Sequence, residues 1–368
     1  MVDTSLGRVA LIGTGLLGGS LGLALKASRR ASLVVGYDAD DAALRAALAG
    51  GAIDEPARSG RDAAAGASLV VLAVPVDLVS SVSAGLGDAL EPDATVTDVG
   101  STKSEVVVEG ERWFGPRFVG GHPMAGSERH GIEAADAFLF EDAWWILTPT
   151  ERTSAAAYAR VVGLAQAVGA RPVAVDPQAH DALMARLSHV PQLTASALVT
   201  TTVAAADRAS LLGLAAGGFR DVTRIAASNP ALWVPIIRSN RSAVLDALEK
   251  LGAQLGWLAE MIRGDRWGEL ADFLSRARAA RLELFARGDL PGEPVALSML
   301  VPDRPGVLAE VTTAAGELGA NIEDLRIVHS TEGGRGRLEL IVAGPDAAES
   351  LTAALAQRGY RAERTRVD

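Results

Sequence analysis

The chain has 368 residues, more than one ordinary domain holds, and 49% of them are hydrophobic but only 4% aromatic, so its cores must rest on Ala, Val and Leu. A formal charge of -10 leaves no basic face for nucleic acid or an anionic membrane. Cysteine is absent, which removes disulfides, thiolate zinc sites, iron–sulfur clusters and a cysteine nucleophile, and fits a cytoplasmic location.

The first segment carries no basic-then-apolar signal pattern, and a strand is expected from Arg8. From there to about Asp176, short β-branched runs alternate with helical ones: "RVALIG", "SLVVGYD", "ASLVVLAVP", "ATVTDVG", "RFVGGHP", "AWWILTP" and "ARPVAVD". Near-continuous apolar strands separated by helices predict an α/β fold, a Rossmann-like, mostly parallel sheet covered on both faces. Residues 1–176 are therefore expected to form one domain.

After Pro177 the β-rich runs stop. Apolar residues recur at helical spacing to about Gly288, which predicts an all-helical domain over 177–288. Its apolar content exceeds what a single amphipathic stripe needs, so helices buried on several sides, as in a dimer, are expected. The run "LTASALVTTTVAAA" is too short and too rich in threonine for a membrane span, which needs about 20 apolar residues. "DLPGEP" reads as a linker or turn, and residues 294–368 follow as β-α-β-β-α-β, a small ferredoxin-like α+β module.

Chemistry first shows in "VALIGTGLLGGSLGLAL". Gly13, Gly15 and Gly18 stand in G-x-G-x-x-G spacing between a strand and a helix, with Leu16 and Leu17 between them. The first glycine permits the turn, the second lets a pyrophosphate reach the backbone, and the third lets helix and strand pack closely. The helix N-terminus offers its free N–H groups to the phosphates. Asp38 ends the second strand, where a carboxylate binds ribose hydroxyls and repels a 2′-phosphate, so NAD is expected over NADP. Val74 and Pro75, in "AVPVD", complete the expected cofactor contacts.

Ligands of open parallel sheets sit beyond the carboxyl ends of the strands. Ser101 in "TDVGSTK" and His122 in "GGHPMAG" fall there. A dehydrogenase needs a base for the hydroxyl proton while hydride leaves carbon, and a neutral imidazole suits that task. The two glycines before His122 are expected to let substrate and cofactor approach the backbone. The competing readings are a turn histidine bonded to backbone and a serine acting as a helix cap. His180 and His189 lie nine residues apart, on opposite faces of a regular helix, so they form no metal pair; His130 falls in a loop and His329 in the last module. No metal site is expected. In "GGFRDVTRIAASNPALW", Arg220 and Arg224 share a helical face after a glycine break and suit either a carboxylate clamp or a salt-bridge surface.

Together "GTGLLGGSLGLALK", "AVPV", "TDVGSTK", "GGHPMAGSERHG", "LSHVPQLTASAL" and "GGFRDVTRIAASNPALW" resemble, in order, the motifs of the prephenate/arogenate dehydrogenase family of tyrosine biosynthesis. The resemblance implies NAD-dependent oxidative decarboxylation of prephenate to 4-hydroxyphenylpyruvate, or of arogenate directly to tyrosine, by a homodimer. It implies that His122 takes the ring hydroxyl proton with Ser101 beside it, and that Arg224 holds the ring carboxylate. Ser127, Ser188, Gly217 and Trp233 would line the substrate pocket, and Glu128, Arg220 and Asp221 would form an ionic network at its entrance. Some relatives carry a histidine where Gln192 stands, so recognition of the substrate side chain must differ here. The C-terminal module resembles an ACT domain through "VPDRPGVLAEV" and "GANIEDLRI", which implies an aromatic amino-acid effector, tyrosine first, near Gly306 and Asn321.

Homoserine and phosphoglycerate dehydrogenases also join Rossmann and ACT domains, but neither accounts for the His122 and Arg224 segments. A non-catalytic sensor of NAD and amino acids would need neither His122 nor Arg224.

Overall fold

The computed structural model describes residues 5–125, 131–205, 217–284, 294–302, 304, 306–329 and 335–366. The chain divides into two compact units, Met1–Gly256 and Trp257–Asp368.

In the first unit, β1 (Arg8–Ile12), α1 (Leu16–Ser28), β2 (Leu33–Tyr37), α2 (Asp41–Ala49), β3 (Glu55–Pro56), α3 (Gly60–Ala64) and β4 (Leu69–Leu72) open the alternating pattern. It continues with α4 (Val79–Leu86), β5 (Thr95–Asp98), α5 (Ser104–Phe114), β6 (Phe118–Pro123), β7 (Trp144–Thr148), α6 (Ala155–Ala167) and β8 (Arg171–Ala174). The strands form one eight-stranded sheet in the order β3-β2-β1-β4-β5-β6-β7-β8. Neighbours run parallel except β6 and β7, which are antiparallel. Two elements were not foreseen from the sequence: β3, a two-residue exposed edge strand without an apolar run, and the reversed direction of β7.

The pleat sends alternate residues of each strand to opposite faces. Val9, Leu11, Leu69 and Val71 enter one buried cluster with Leu21, Leu25 and Trp145, while Ala10, Ile12, Val70 and Leu72 enter the other with Phe114 and Phe118. This double burial is why the strands read as continuous apolar runs. The chain leaves β1 toward β2 on one side and later returns to β4 on the other, so the strand order reverses at β1/β4, where such sheets bind ligands.

The unit continues as helices α7 (Pro177–Met184), α8 (Val190–Ala205), α9 (Gly217–Thr223), α10 (Pro230–Ser239) and α11 (Arg241–Arg263). The boundary between the two units falls within α11. The start of α7 is sharply defined: Asp176 accepts bonds from the N–H groups of Gln178 and Ala179, and Pro177 occupies the first turn, where its missing N–H costs nothing. Asn229 and Pro230 repeat the arrangement at α10. Ala185 and Val190 pack with Val244 and Ala247 of α11.

The second unit contains α12 (Trp267–Leu284) and a module of β9 (Pro294–Pro302), α13 (Val307–Glu317), β10 (Ile322–His329), β11 (Arg335–Ala343), α14 (Pro345–Gln357) and β12 (Ala362–Arg366). Its antiparallel sheet has the order β10-β11-β9-β12, the ferredoxin-like arrangement. Leu297, Val311, Leu340 and Leu351 are fully buried at its centre.

Candidate active site

The glycine loop between β1 and α1 separates into three physical roles. Gly13 has φ +99°, and a Cβ there would lie 2.2 Å from the carbonyl oxygen of Ala73, at the end of β4. A Cβ on Gly18 would lie 2.0 Å from the carbonyl of Gly13, so strand and helix can pack this closely only around glycine. Among the described residues nothing lies within 4 Å of a Cβ on Gly15 and no side chain caps the helix start, and the first turn of α1 holds no carboxylate. This uncapped, positive helix end fits a dinucleotide pyrophosphate, with Leu16 and Leu17 in the same first turn.

Asp38 follows β2 at the same edge. Its Oδ2 accepts the Thr14 N–H at 2.7 Å and the Thr14 hydroxyl at 3.1 Å, and its Oδ1 accepts the Asp40 N–H at 2.9 Å. The carboxylate is thus oriented by the glycine loop and keeps lone pairs for ribose hydroxyls. Val74 is half-buried and Pro75 exposed just beyond β4.

At the ends of β5 and β6 the chain has built a buried ion pair. Asp98 and Lys103 are both fully buried, and the Lys103 ammonium contacts Asp98 Oδ2. The same carboxylate accepts the N–H groups of Gly100 at 2.8 Å and Gly121 at 3.0 Å. It therefore ties the loop carrying half-buried Ser101 to the strand end carrying His122. Burial lowers the Lys103 pKa, while Asp98 and Asp181 oppose the shift.

The two glycines before His122 serve this packing. A Cβ on Gly120 would meet the side chains of Thr148, Val107 and Lys103, and one on Gly121 would meet the Asp98 carbonyl at 2.6 Å. The expectation that they clear space for substrate and cofactor is corrected: protein atoms occupy that space.

His122 is half-buried, and its Nδ1 lies 2.8 Å from Nε2 of His180. His180, fully buried, places its Nδ1 2.8 Å from Asp181 Oδ1. Asp181 also accepts the N–H of Lys103 at 2.7 Å and that of Ser104 at 2.8 Å, capping α5. Asn240 donates to the Asp181 carbonyl at 2.7 Å and lies 3.2 Å from His189 Nδ1. Trp233 packs edge-on to His189, ring centroids 6.0 Å apart.

Burial, together with the neighbouring His180, Lys103 and His189, holds His122 well below the usual histidine value; Asp181 acts the other way. Burial also lowers His189, to about 4. Burial alone would raise Asp181, but the bonds it accepts from His180, Ser104 and Lys103 outweigh that and keep it below the usual carboxylate range.

The single regular helix expected across His180 and His189 is interrupted: Ala185–His189 form a π-helical turn, which takes an extra residue per turn and resets the faces on either side. His180, Asp181, Asp98, Lys103 and Asn240 were all missed. The available signal was the acidic and histidine pair "HD" placed four residues into a helix capped by Asp-Pro.

The remaining expected residues divide. Gln192 is buried in α8, and its Oε1 finds no donor among the described residues. Ser188 is half-buried in the π turn. Gly217, Arg220, Asp221 and Arg224 are exposed, and the regular helix ends at Thr223, with Arg224 opening a 3₁₀ turn to Ala227. Arg220 thus lies within the regular helix and Arg224 just past its end. Ser127, Glu128 and His130 lie outside the described residues. In the second unit, Gly306 has φ +93° just before α13, and Asn321 is exposed just before β10.

Comparison with known proteins matches residues 21–174 to the nucleotide-binding domain of prephenate dehydrogenase, 176–276 to its dimerization domain and 295–359 to the ACT domain. The chain is 34% identical over 344 residues to prephenate dehydrogenase of Bacillus subtilis, covering 92% of each chain. Among solved structures, prephenate dehydrogenase from Aquifex aeolicus, in complex with hydroxyphenyl propionate and NAD+, is similar with a TM-score of 0.72 and 34% identity, over 76% of this chain and 99% of that one. Arogenate dehydrogenase of Synechocystis is similar with a TM-score of 0.67 and 28% identity, over 75% of this chain and 99% of that one.

Proposed function

The chain belongs to the prephenate dehydrogenase family, and we propose that it catalyses the oxidative decarboxylation of prephenate to 4-hydroxyphenylpyruvate with NAD. It is an NAD-dependent dehydrogenase. The observation that carries the reading is His122 at the carboxyl end of β6: one ring nitrogen is held by His180 at 2.8 Å, and the strand edge also carries the glycine loop and Asp38.

NAD supplies the hydride acceptor when bound; Gly13, Gly15, Leu16, Leu17 and Gly18 would hold its pyrophosphate, Asp38 its ribose, and Val74 and Pro75 its flank. His122 takes the proton of the ring hydroxyl as the C–O double bond forms and hydride leaves that carbon. The electron pair of the C–CO₂ bond enters the ring, which becomes aromatic, and the proton returns to the phenolate oxygen. Ser101 orients the hydroxyl. Arg224 holds the ring carboxylate, and Ser127, Ser188, Gly217 and Trp233 complete the pocket, with Glu128, Arg220 and Asp221 at its entrance.

Arogenate is a second reading, favoured by one observation. The buried Gln192 Oε1 has no donor among the described residues, and an ammonium on the substrate side chain would supply one. The initial rate of NADH formation with prephenate and with arogenate, measured side by side, decides between them. A rate with neither would overturn the assignment.

Exposed Leu187, Val222, Leu232 and Val234 on the helical part support a homodimer. Among the described residues no helix is long and apolar enough to cross a membrane. The reading places the enzyme in the cytoplasm, with domains at 1–176, 177–288 and 294–368. The ACT module binds an aromatic amino acid, tyrosine first, near Gly306 and Asn321, and tyrosine should lower the rate.

A further inference from the structure

We infer that Asp181 and His180 dictate which nitrogen of His122 carries its proton, and so present a bare Nε2 to the substrate hydroxyl. The inference rests on the reading of His122 as the base.

The direction follows from the end of the chain of bonds. An ionised carboxylate only accepts. Asp181 already takes the backbone N–H groups of Lys103 and Ser104, and its 2.8 Å contact with His180 requires hydrogen on His180 Nδ1. With its single hydrogen on Nδ1, the imidazole of His180 has a lone pair on Nε2. The 2.8 Å contact from that atom to His122 Nδ1 requires hydrogen on His122 Nδ1. One tautomer of His122 remains, with its lone pair on Nε2.

The surroundings hold this arrangement in place. His180 is 0% exposed and Asp181 3%, so water does not compete for the bonds. Asp181 is fixed by two backbone N–H groups at the start of α5 and, through its own carbonyl, by Asn240. When His122 takes the hydroxyl proton, its Nδ1–H points through His180 toward the Asp181 carboxylate, which stabilises the imidazolium. His180 and Asp181 are positioning residues, acting through His122. The logic is that of hydrolase triads, in which loss of the correct tautomer lowers kcat by about 10⁴. Here the carboxylate acts through an intervening second imidazole.

The test is a long-range ¹H–¹⁵N correlation spectrum of the full chain labelled with ¹⁵N-histidine, recorded at pH 8 with NAD. The signals of His122 and His180 are identified from His122→Asn and His180→Gln. Hydrogen on Nδ1 and a bare Nε2 in both rings is expected. Hydrogen on His122 Nε2, or a doubly protonated His180, would overturn the inference. Kinetics give an independent reading. His180→Leu, which removes the acceptor, should lower kcat about 10²–10³-fold with KM within about threefold. His180→Gln, whose Oε1 can accept from His122, should recover at least about tenfold of that loss. Equal losses in both variants, or a change in KM alone, would count against it. The spectrum needs no turnover, so it decides the tautomer even if neither prephenate nor arogenate is oxidised.

Discussion

Lys103 and Asp98 form an ion pair with both side chains fully buried, and the same carboxylate holds the N–H of Gly121, the residue before His122. The pair is a bracket for the candidate site: it fixes the loop of Ser101 against the end of β6. Removing one partner of a buried pair leaves an uncompensated charge and costs about 3–5 kcal/mol. Lys103→Met should therefore lower the unfolding free energy by about that amount in urea titrations. A loss below about 1 kcal/mol would show that the pair is not needed to hold the strand ends.

The glycine loop separates folding from cofactor binding. Gly18→Ala drives a Cβ against the backbone carbonyl of Gly13, and backbone on both sides cannot yield cheaply. It should destabilise the protein by about 1–3 kcal/mol. Gly15→Ala meets open space and should leave the melting temperature unchanged while raising the NAD dissociation constant by at least about tenfold, because the methyl stands where a pyrophosphate must approach. Calorimetric titration and thermal melts of the two variants check both halves. A Gly15→Ala protein that binds NAD normally would contradict the placement of the cofactor.

His189 gives a pH signature in stability. Its folded-state pKa lies at about 4, below the ordinary histidine value of about 6.5, so between these values the unfolded chain binds more protons. The contribution is fully present above pH of about 6.5 and is lost as pH falls toward 4. Asp181, also held low, adds its own loss only in the more acidic carboxylate range. Denaturant midpoints taken between pH 7 and pH 4 should fall in the wild type, and the fall should be shallower in His189→Gln. Parallel curves would refute the assignment.

The sheet was legible because strands buried on two faces must be apolar throughout, and the glycine spacing because no other residue fits Gly13 and Gly18. The six-element C-terminal module was equally plain from its alternation of strands and helices. The hidden parts share a cause. β3 has two exposed residues and no core contact to mark it, and the π turn at Ala185–His189 breaks the periodicity on which helical faces are judged. His122 was legible from its glycines and proline, although those glycines turned out to make room for Lys103, Thr148 and the Asp98 backbone. The supporting set of Lys103, Asp98, His180 and Asp181 was not, since its members are brought together from β5, α7 and the loop before α5 by tertiary packing alone.

Burial and its neighbours hold His122 well below the usual histidine value, so the imidazole is neutral and able to accept a proton throughout the neutral range. The acid limb of kcat/KM should accordingly lie below pH of about 6.5. A limb at or above that value would mean that another group limits the reaction.

The most direct measurement compares kcat for NADH formation from prephenate in the wild type and in His122→Asn, with NAD binding titrated on the same preparations. The account predicts a loss of about 10²–10⁴-fold in kcat with the NAD dissociation constant unchanged. A His122→Asn protein that turns over at the wild-type rate would contradict it.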